Sequence, residues 1–214
     1  MVDEAFDKAL IGAAFKLAAE LGWRNVSIAG AARAAGLDLP RARARFPGRT
    51  TLLMRFGRVA DQAVLAEVPG EGSVRDRLFD MIMRRIDVFQ AHRAGVLALF
   101  RALPFEPPMA VLLACATRRS MRWLLQAAEV DTSSLRGELT VRGLVAVWLW
   151  TLRAWVRDES TDLSATMAAL DTALRRADRA AQWLRGTAPA AAPAPEAPAA
   201  DAQATDTEAP PENR

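Results

Sequence analysis

Apolar residues recur every three or four positions through most of the chain, which is the spacing of one buried helix face. In the first segment they fall at Phe6, Leu10, Ala14, Leu17 and Leu21, and Gly22 ends the pattern. No run of alternating apolar and polar residues is long enough to indicate a strand. The hydrophobic pattern therefore predicts an all-α protein.

Glycines, prolines and capping residues divide this pattern into about nine helices. Ser27 is an expected N-cap for a short helix over residues 28–35, and Asp38 caps a second one that ends near Phe46. Longer helices are predicted over residues 50–68, 73–89, 109–130, 135–158 and 162–185, with a break near residues 92–95 and a shorter helix before the run 104–108. Ser160 and Asp162 are the expected caps of the last helix. Residues 144–150 are apolar on all sides, which is typical of a central buried helix.

Composition adds a boundary at the C-terminal end. The chain has 214 residues, of which 51% are apolar and 25% charged, as in ordinary globular proteins. Residues 187–214, however, hold six of the twelve prolines and five acids against one base. Such a segment cannot bury enough apolar surface to offset the entropy of ordering, so we predict a disordered Ala/Pro-rich acidic tail over 187–214.

Several kinds of function are excluded by residue counts. One cysteine rules out an intrachain disulfide, one histidine rules out a multi-histidine metal site, and a Ser-His-Asp triad would depend on His92 alone. No metal, cofactor or catalytic residue is expected, and the protein is not predicted to be an enzyme. Cys115, in an apolar context, is expected to be a buried thiol, and His92 a surface or cap residue. The acidic N-terminal helix is unlike a secretory signal, and no stretch reaches eighteen uncharged apolar residues. A cytoplasmic protein without a membrane span is expected.

Positive charge is concentrated in one region. Between Arg24 and Ala60 there are eight arginines and a single acid, Asp38. This charge lies on the two short helices, and Gly36 between them permits the sharp crossing of a helix-turn-helix, whose second helix can enter a major groove of DNA. Solvated arginine-rich faces would give the same composition, so charge alone leaves both interpretations open.

Three blocks in this region resemble the DNA-binding segment of TetR-type transcriptional regulators. They are Gly-Trp-Arg-Asn-Val-Ser-Ile at 22–28, Ala-Ala-Arg-Ala-Ala-Gly-Leu at 31–37 and Phe-Pro-Gly-Arg-Thr-Thr-Leu-Leu at 46–53. The resemblance implies a helix-turn-helix headpiece of three helices over residues 1–48 and a larger helical-bundle body for ligand binding and dimerisation over 49–186. It also implies a homodimer whose partners are double-stranded operator DNA and a small hydrophobic ligand that modulates DNA binding.

The resemblance also assigns roles to residues of the headpiece. Arg43 stands where the family usually has a tyrosine, and Arg49 where it usually has a lysine. Phosphate contacts are expected from Ser27, Arg43 and Arg49, and contacts to base edges from Leu39, Arg41 and Arg45. In the body, a ligand pocket is expected from Phe100, Met121, Trp123 and Trp148, although tryptophan at helical spacing is also typical of an ordinary core.

A second resemblance covers residues 74–175. Val-Arg-Asp-Arg-Leu at 74–78 and Trp-Val-Arg-Asp-Glu-Ser-Thr-Asp at 155–162 are similar to the TetR-fold accessory proteins of ubiquinone biosynthesis. Those proteins bind isoprenoid lipids and do not bind DNA. The chain lacks that family's Trp-Tyr-Thr stretch and its amphipathic C-terminal helix. A lipid-binding accessory protein is therefore the alternative to the regulator.

Overall fold

The computed structural model describes residues 2–66 and 72–185, and the predicted tail over 187–214 lies outside the described residues. Within the described ranges every regular element is helical, which confirms the all-α prediction. The helices are α1 (Val2–Leu21), α2 (Ile28–Ala34), α3 (Leu39–Arg45), α4 (Arg49–Leu65), α5 (Val74–Gln90), α6 (Arg93–Ala102), α7 (Pro107–Ala127), α8 (Leu135–Arg157) and α9 (Ser164–Arg185). Short 3₁₀ turns, Trp23–Asn25 and Leu103–Phe105, follow α1 and α6.

The short helices of the N-terminal part begin at the predicted caps. The Ser27 side chain accepts a hydrogen bond from the backbone N–H of Gly30 at 3.0 Å, and Asp38 accepts one from Arg41 at 2.8 Å. Each bond satisfies a backbone donor that has no partner within its own helix. Gly36, at the turn between α2 and α3, has a φ of +63°, a conformation that favours glycine. These features fix the crossing of α2 and α3.

Alanines on α2 and α3 let the headpiece helices pack closely. Ala31, Ala32 and Ala42 are fully buried beside Trp23 and Phe46. Phe15 of α1 contacts the ring of Trp23, with centroids 5.8 Å apart, and the ring of Phe56 on α4, with centroids 4.6 Å apart. One aromatic cluster therefore joins the headpiece to the first helix of the body.

Helices α8 and α9 pair along their lengths, and α5 and α7 pack against this pair. Trp148 and Trp155, seven residues apart on α8, are both buried, and Phe89 of α5 lies edge-on to each. Met121 and Ile86 complete this core. The central buried helix predicted around residues 144–150 is α8, although Leu149 and Trp150 face outward and are 57% and 51% exposed.

The predicted break at residues 92–95 is shorter in the structure. His92 is the N-cap residue of α6, but its side chain makes no capping hydrogen bond. The imidazole instead stacks on Phe15 at 5.4 Å and lies edge-on to Phe56 at 5.8 Å. Gly95 lies inside α6 and is buried there. The residue is glycine because a Cβ at this position would collide with the backbone carbonyl of Phe15. Glycine at this position permits the close approach of α1 and α6.

The link between α8 and α9 is organised by Asp158, which is buried at the C-terminal end of α8. Its carboxylate accepts hydrogen bonds from the Ser160 hydroxyl and from the backbone N–H and hydroxyl of Thr166, the latter two at 2.8 and 2.7 Å. The Ser160 bond is the largest cause that lowers the pKa of Asp158, to about 2. Asp162 accepts a hydrogen bond from the Ser164 N–H at the start of α9, at 3.2 Å, as predicted. The Ser160 hydroxyl instead donates to Asp158 and does not cap α9.

Among the described helices, α8 is long and apolar enough to cross a membrane, and α6 with α7 would qualify only as one span bent by 120°. The core helix of a globular protein meets the same criteria. Helix α8 packs along α9 and α7, and 33% of its apolar stretch is buried in the bundle.

Candidate nucleic-acid interface

A groove of about 470 Å³ runs between α2, α3 and the start of α4. It is lined by Ser27, Ile28, Ala29, Leu39, Ala42, Arg43, Phe46, Pro47, Gly48 and Arg49. Four of the six DNA-contacting residues predicted from the sequence therefore lie on one surface, although they come from three different segments. Ser27 and Arg49 are 22 positions apart in the sequence, so only the helix-turn-helix crossing brings them together.

Two of these residues have polar groups available to a ligand. The Ser27 oxygen accepts the Gly30 N–H, which leaves the hydroxyl hydrogen free to be donated outward. Arg43 is exposed, and its Nη1 donates to the carbonyl of Pro47 at 2.8 Å. The remaining guanidinium donors of Arg43 have the planar geometry that binds phosphate or a guanine edge.

Arg49 occupies the first position of α4, at the end of the groove. Its Nη1 donates to the backbone carbonyl of Trp23 at 3.0 Å and to the carboxylate of Glu106 at 3.3 Å. The Arg49 side chain is 31% exposed, so it is held by partners from two elements and still reaches the surface. Glu106 precedes α7 and belongs to the body, and the sequence analysis did not identify it.

Arg41 and Arg45 do not lie where the sequence analysis placed them. Both face α1 rather than an open groove, because Asp3 and Asp7 are four residues apart on α1 and match the spacing of the two arginines on α3. Arg45 donates through Nε and Nη2 to Asp7 at 2.8 and 2.9 Å, and Arg41 donates to Asp3 at 2.6 Å. The Arg41 guanidinium also lies over the ring of Phe6, 4.4 Å from its centroid. The expectation that these two residues face base edges is therefore corrected.

Asp7 is the most buried member of this charged layer, at 1% exposure. It also accepts from Nε of Arg55 on α4 at 2.7 Å, so three helices meet at one carboxylate. Burial raises the pKa of Asp7, but the hydrogen bond from Arg45 and the charges of Arg55 and Arg45 outweigh it and leave the pKa below its ordinary value. Part of the headpiece's positive charge is thus used internally, and Arg24, Arg33 and Arg43 are its exposed arginines.

The four residues predicted to line a ligand pocket are not brought together. Met121 and Trp148 are buried, and Phe100 lies edge-on to Trp155 at 6.5 Å within the same core. Trp123 points away from them and is 54% exposed, because it lies on the opposite side of α7 from Met121. Phe89 of α5 packs edge-on against Trp148 and Trp155 of α8 in this core.

One polar cluster crosses this core. Arg85 of α5 is 4% exposed and donates through Nη1 to Asp61 of α4 and to the hydroxyl of Ser120 on α7, the latter at 2.7 Å. Its guanidinium lies over Trp148, 5.2 Å from the ring centroid. Desolvation by burial lowers the pKa of Arg85, while the Asp61 charge opposes this shift. The cluster connects α4, which starts at the groove, to the middle of the body.

A second cleft, of about 440 Å³, lies between α5 and α9. Its lining contains Asp76, Asp80 and Asp171 beside Phe79 and Met167. Among the residues that the structure describes, no three histidine, cysteine, aspartate or glutamate side chains are grouped so that they could hold a metal ion.

Comparison with solved structures identifies the fold. A TetR transcriptional regulator from Nitrosomonas europaea superimposes with a TM-score of 0.68 at 21% identity, over 81% of this chain and 98% of that one. A TetR-family regulator from Streptomyces coelicolor gives 0.57 at 23% identity, over 84% and 87% of the two chains, and one from a Rhodococcus species gives 0.57 at 19%, over 80% and 97%. No family model matches the sequence, and no curated protein matches it.

Proposed function

Starting from a chain with the fold of TetR-family regulators, we propose that this protein is a transcriptional regulator that binds double-stranded operator DNA through its headpiece, residues 1–48. The observation that carries the proposal is the groove that gathers Ser27, Arg43 and Arg49 beside Leu39. The Ser27 hydroxyl and the Arg49 guanidinium suit the phosphate backbone, which supplies much of the affinity of DNA-binding proteins, and the Arg43 guanidinium beside them suits a base edge.

Base reading falls mainly to Arg43 in this proposal. It is the exposed arginine of α3, whereas Arg41 and Arg45 are paired with acids of α1. Leu39, 38% exposed at the start of α3, offers an apolar contact of the kind made with a thymine methyl group. Ser27 and Arg49 then position the headpiece on the phosphates.

The body, residues 49–186, is proposed to carry the regulation. A small hydrophobic ligand that binds better to one arrangement of the bundle than to another would change DNA affinity, since only a difference in affinity shifts an equilibrium. The Arg85 cluster supports this proposal because it links the core of the body, on α5 and α7, to α4, which starts at the groove. Two copies joined through α8 and α9 would place two headpieces about 34–36 Å apart, one turn of DNA.

The test is selection of bound sequences from a random pool of duplexes, followed by affinity measurements on the enriched sequence at several salt concentrations. We expect an enriched operator bound more tightly than random DNA. Arg49→Ala should weaken binding to all duplexes and reduce the slope of log K against log salt by about 0.9, the contribution of one phosphate contact. Arg43→Ala should cost about 1–3 kcal/mol on the operator and relax selectivity at one base pair.

Exposed Arg101, on α6 of the body, provides the matched control, and Arg101→Ala should leave both quantities unchanged. Failure of the wild-type protein to prefer any duplex over random DNA would contradict the proposal. The lipid-binding alternative predicts that outcome, so the same measurement separates the two functions.

A further inference from the structure

Glu106 directs its carboxylate at the start of α4, beside the groove, rather than at its own helix. It is the N-cap residue of α7, a position where acidic side chains usually accept hydrogen bonds from the first helical N–H groups, yet it makes no such bond. Its Oε1 lies 3.3 Å from Nη1 of Arg49, and the Glu106 side chain is 18% exposed. A carboxylate at the start of α7 is thus bound to the arginine at the start of α4 that lines the groove.

The local sequence explains this choice of partner. Pro107 and Pro108 occupy the first two positions of α7, and proline has no N–H to donate. The donors that a capping carboxylate normally reaches are therefore depleted, and the Glu106 side chain is left for another partner. Arg49 is held in place from the other side by the Trp23 carbonyl.

Carboxylate and phosphate oxygens are alternative acceptors for the same guanidinium. A DNA phosphate that approaches Arg49 along the groove meets the negative charge of Glu106 beside it. Binding then requires the Arg49–Glu106 pair to separate, or it leaves two anions close to one cation. Either event makes the phosphate contact weaker than it would be with an unpaired arginine.

We propose that Glu106 is an internal competitor for the phosphate that Arg49 binds, so that the position of the start of α7 sets DNA affinity. The inference rests on the proposed function and adds a regulatory contact to it. Helix α7 packs against α4 and also carries Ser120 of the Arg85 cluster. It is therefore connected to α4 at two places, through Glu106 and Arg49 at the groove and through Ser120 and Asp61 in the core. A rearrangement of the core that moves α7 changes the availability of Arg49.

The experiment compares the affinity of full-length Glu106→Gln and wild-type protein for one random-sequence 30-base-pair duplex, at matched salt. Removing the charge frees Arg49, and we expect binding about two- to five-fold tighter, the range that corresponds to a partly exposed ion pair. Glu106→Asp, which shortens the side chain by one methylene, should fall between the two. Glu159→Gln, in the exposed α8–α9 turn, removes the same charge and should leave affinity unchanged.

The Arg49→Ala background distinguishes competition at Arg49 from a general electrostatic effect. There, adding Glu106→Gln should give no gain. The inference is overturned if wild-type protein binds the duplex and Glu106→Gln binds no more tightly than Glu159→Gln, or if the gain persists without Arg49. Absence of duplex binding by every variant instead contradicts the proposed function, and the inference with it. Thermal melting of each variant confirms that the compared proteins are folded.

Discussion

At the scale of single residues, the headpiece shows which arginines are committed to structure. Eight arginines between Arg24 and Ala60 could be counted from the sequence, but their partners could not. The spacing of Arg41 and Arg45 predicted a shared face correctly, whereas the side to which that face turns depends on Asp3 and Asp7, 38 positions earlier. Which acid pairs with each arginine depends on how α1 packs on α3. The spacing of residues along one helix does not carry that information.

Two acids of α1 make a matched pair for a stability measurement. Asp7→Asn removes the charge from a buried carboxylate that accepts from Arg45 and Arg55, and we expect it to lower the free energy of unfolding by about 1–3 kcal/mol. Asp3→Asn removes the charge from a side chain that is 63% exposed, and we expect a much smaller loss because solvent screens this ion pair. Urea denaturation of both variants checks the contrast, and equal losses would contradict the assigned roles.

His92 makes stability depend on pH. Desolvation by burial between aromatic rings lowers the pKa of His92 below its ordinary value, so the folded protein binds a proton there less readily than the unfolded chain. Its contribution to stability is therefore fully present above a pH of about 6.5, the unfolded value, and declines as the pH falls below it. We expect Tm to fall between pH 7 and 5.5 in wild-type protein.

The fall in Tm over this interval should be smaller in His92→Phe, which retains an aromatic ring and cannot be protonated. Identical pH profiles for the two proteins would show that His92 is not the group responsible.

Cys115 is exposed in the structure, whereas its apolar neighbours in the sequence predicted a buried thiol. Local sequence cannot tell which side of a long helix faces the core.

At the scale of elements, helix boundaries were predictable wherever a side chain fixes them. Ser27 and Asp38 cap α2 and α3 as expected, and glycine and proline separate most of the longer helices. Helix α7 begins two residues earlier than predicted, because Pro107 and Pro108 form its first turn instead of preceding it. The pattern predicts a break that includes Gly95, but Gly95 lies inside α6, and the backbone of the distant helix α1 explains the glycine.

The contact at Gly95 can be tested by one substitution. Gly95→Ala would place a Cβ against the carbonyl of Phe15 and push α1 away from α6, and we expect a loss of about 1–3 kcal/mol in the free energy of unfolding. Gly57→Ala is the matched control, because a Cβ on this glycine of α4 meets nothing within 4 Å. It should be neutral or stabilising by up to about 1 kcal/mol, as expected for alanine in a helix. Similar losses in both variants would argue against the close approach.

At the scale of the whole molecule, the order of the helices followed from the periodicity, whereas their packing and the ligand pocket did not. Trp148 and Trp155 share a buried face, as their spacing indicated, but Trp123 lies outside. The sequence identifies which residues are large and apolar. Whether they enclose a space depends on how several helices fit together, and here their rings pack against one another.

The exposed face of α8 carries the prediction of a homodimer. Leu135, Leu139, Leu149 and Trp150 lie along one side of the helix and are each at least half exposed. Several large apolar side chains exposed on one side of a helix are typical of an interface. We expect the wild-type protein to have twice the mass of one chain in light scattering at micromolar concentration.

Trp150→Glu should shift the measured mass toward that of one chain by placing a charge in the seam. Trp123→Glu changes a tryptophan of similar exposure on α7, outside the stripe, and should leave the dimer intact. A wild-type protein with the mass of a single chain, or equal effects of the two substitutions, would contradict the proposed seam.

The close packing of α1 on α6 has a consequence for protein engineering and for evolution. A hybrid that joins the first 48 residues of this chain to the body of a relative keeps Phe15 but loses the glycine that makes room for it, unless the recipient has a glycine at the same position. Under the proposed function, exchange of operator specificity is therefore constrained by Gly95, a residue that lies outside the groove. A viable transplant carries α1 and the α6 surface together, or leaves α1 behind and replaces only α2 and α3.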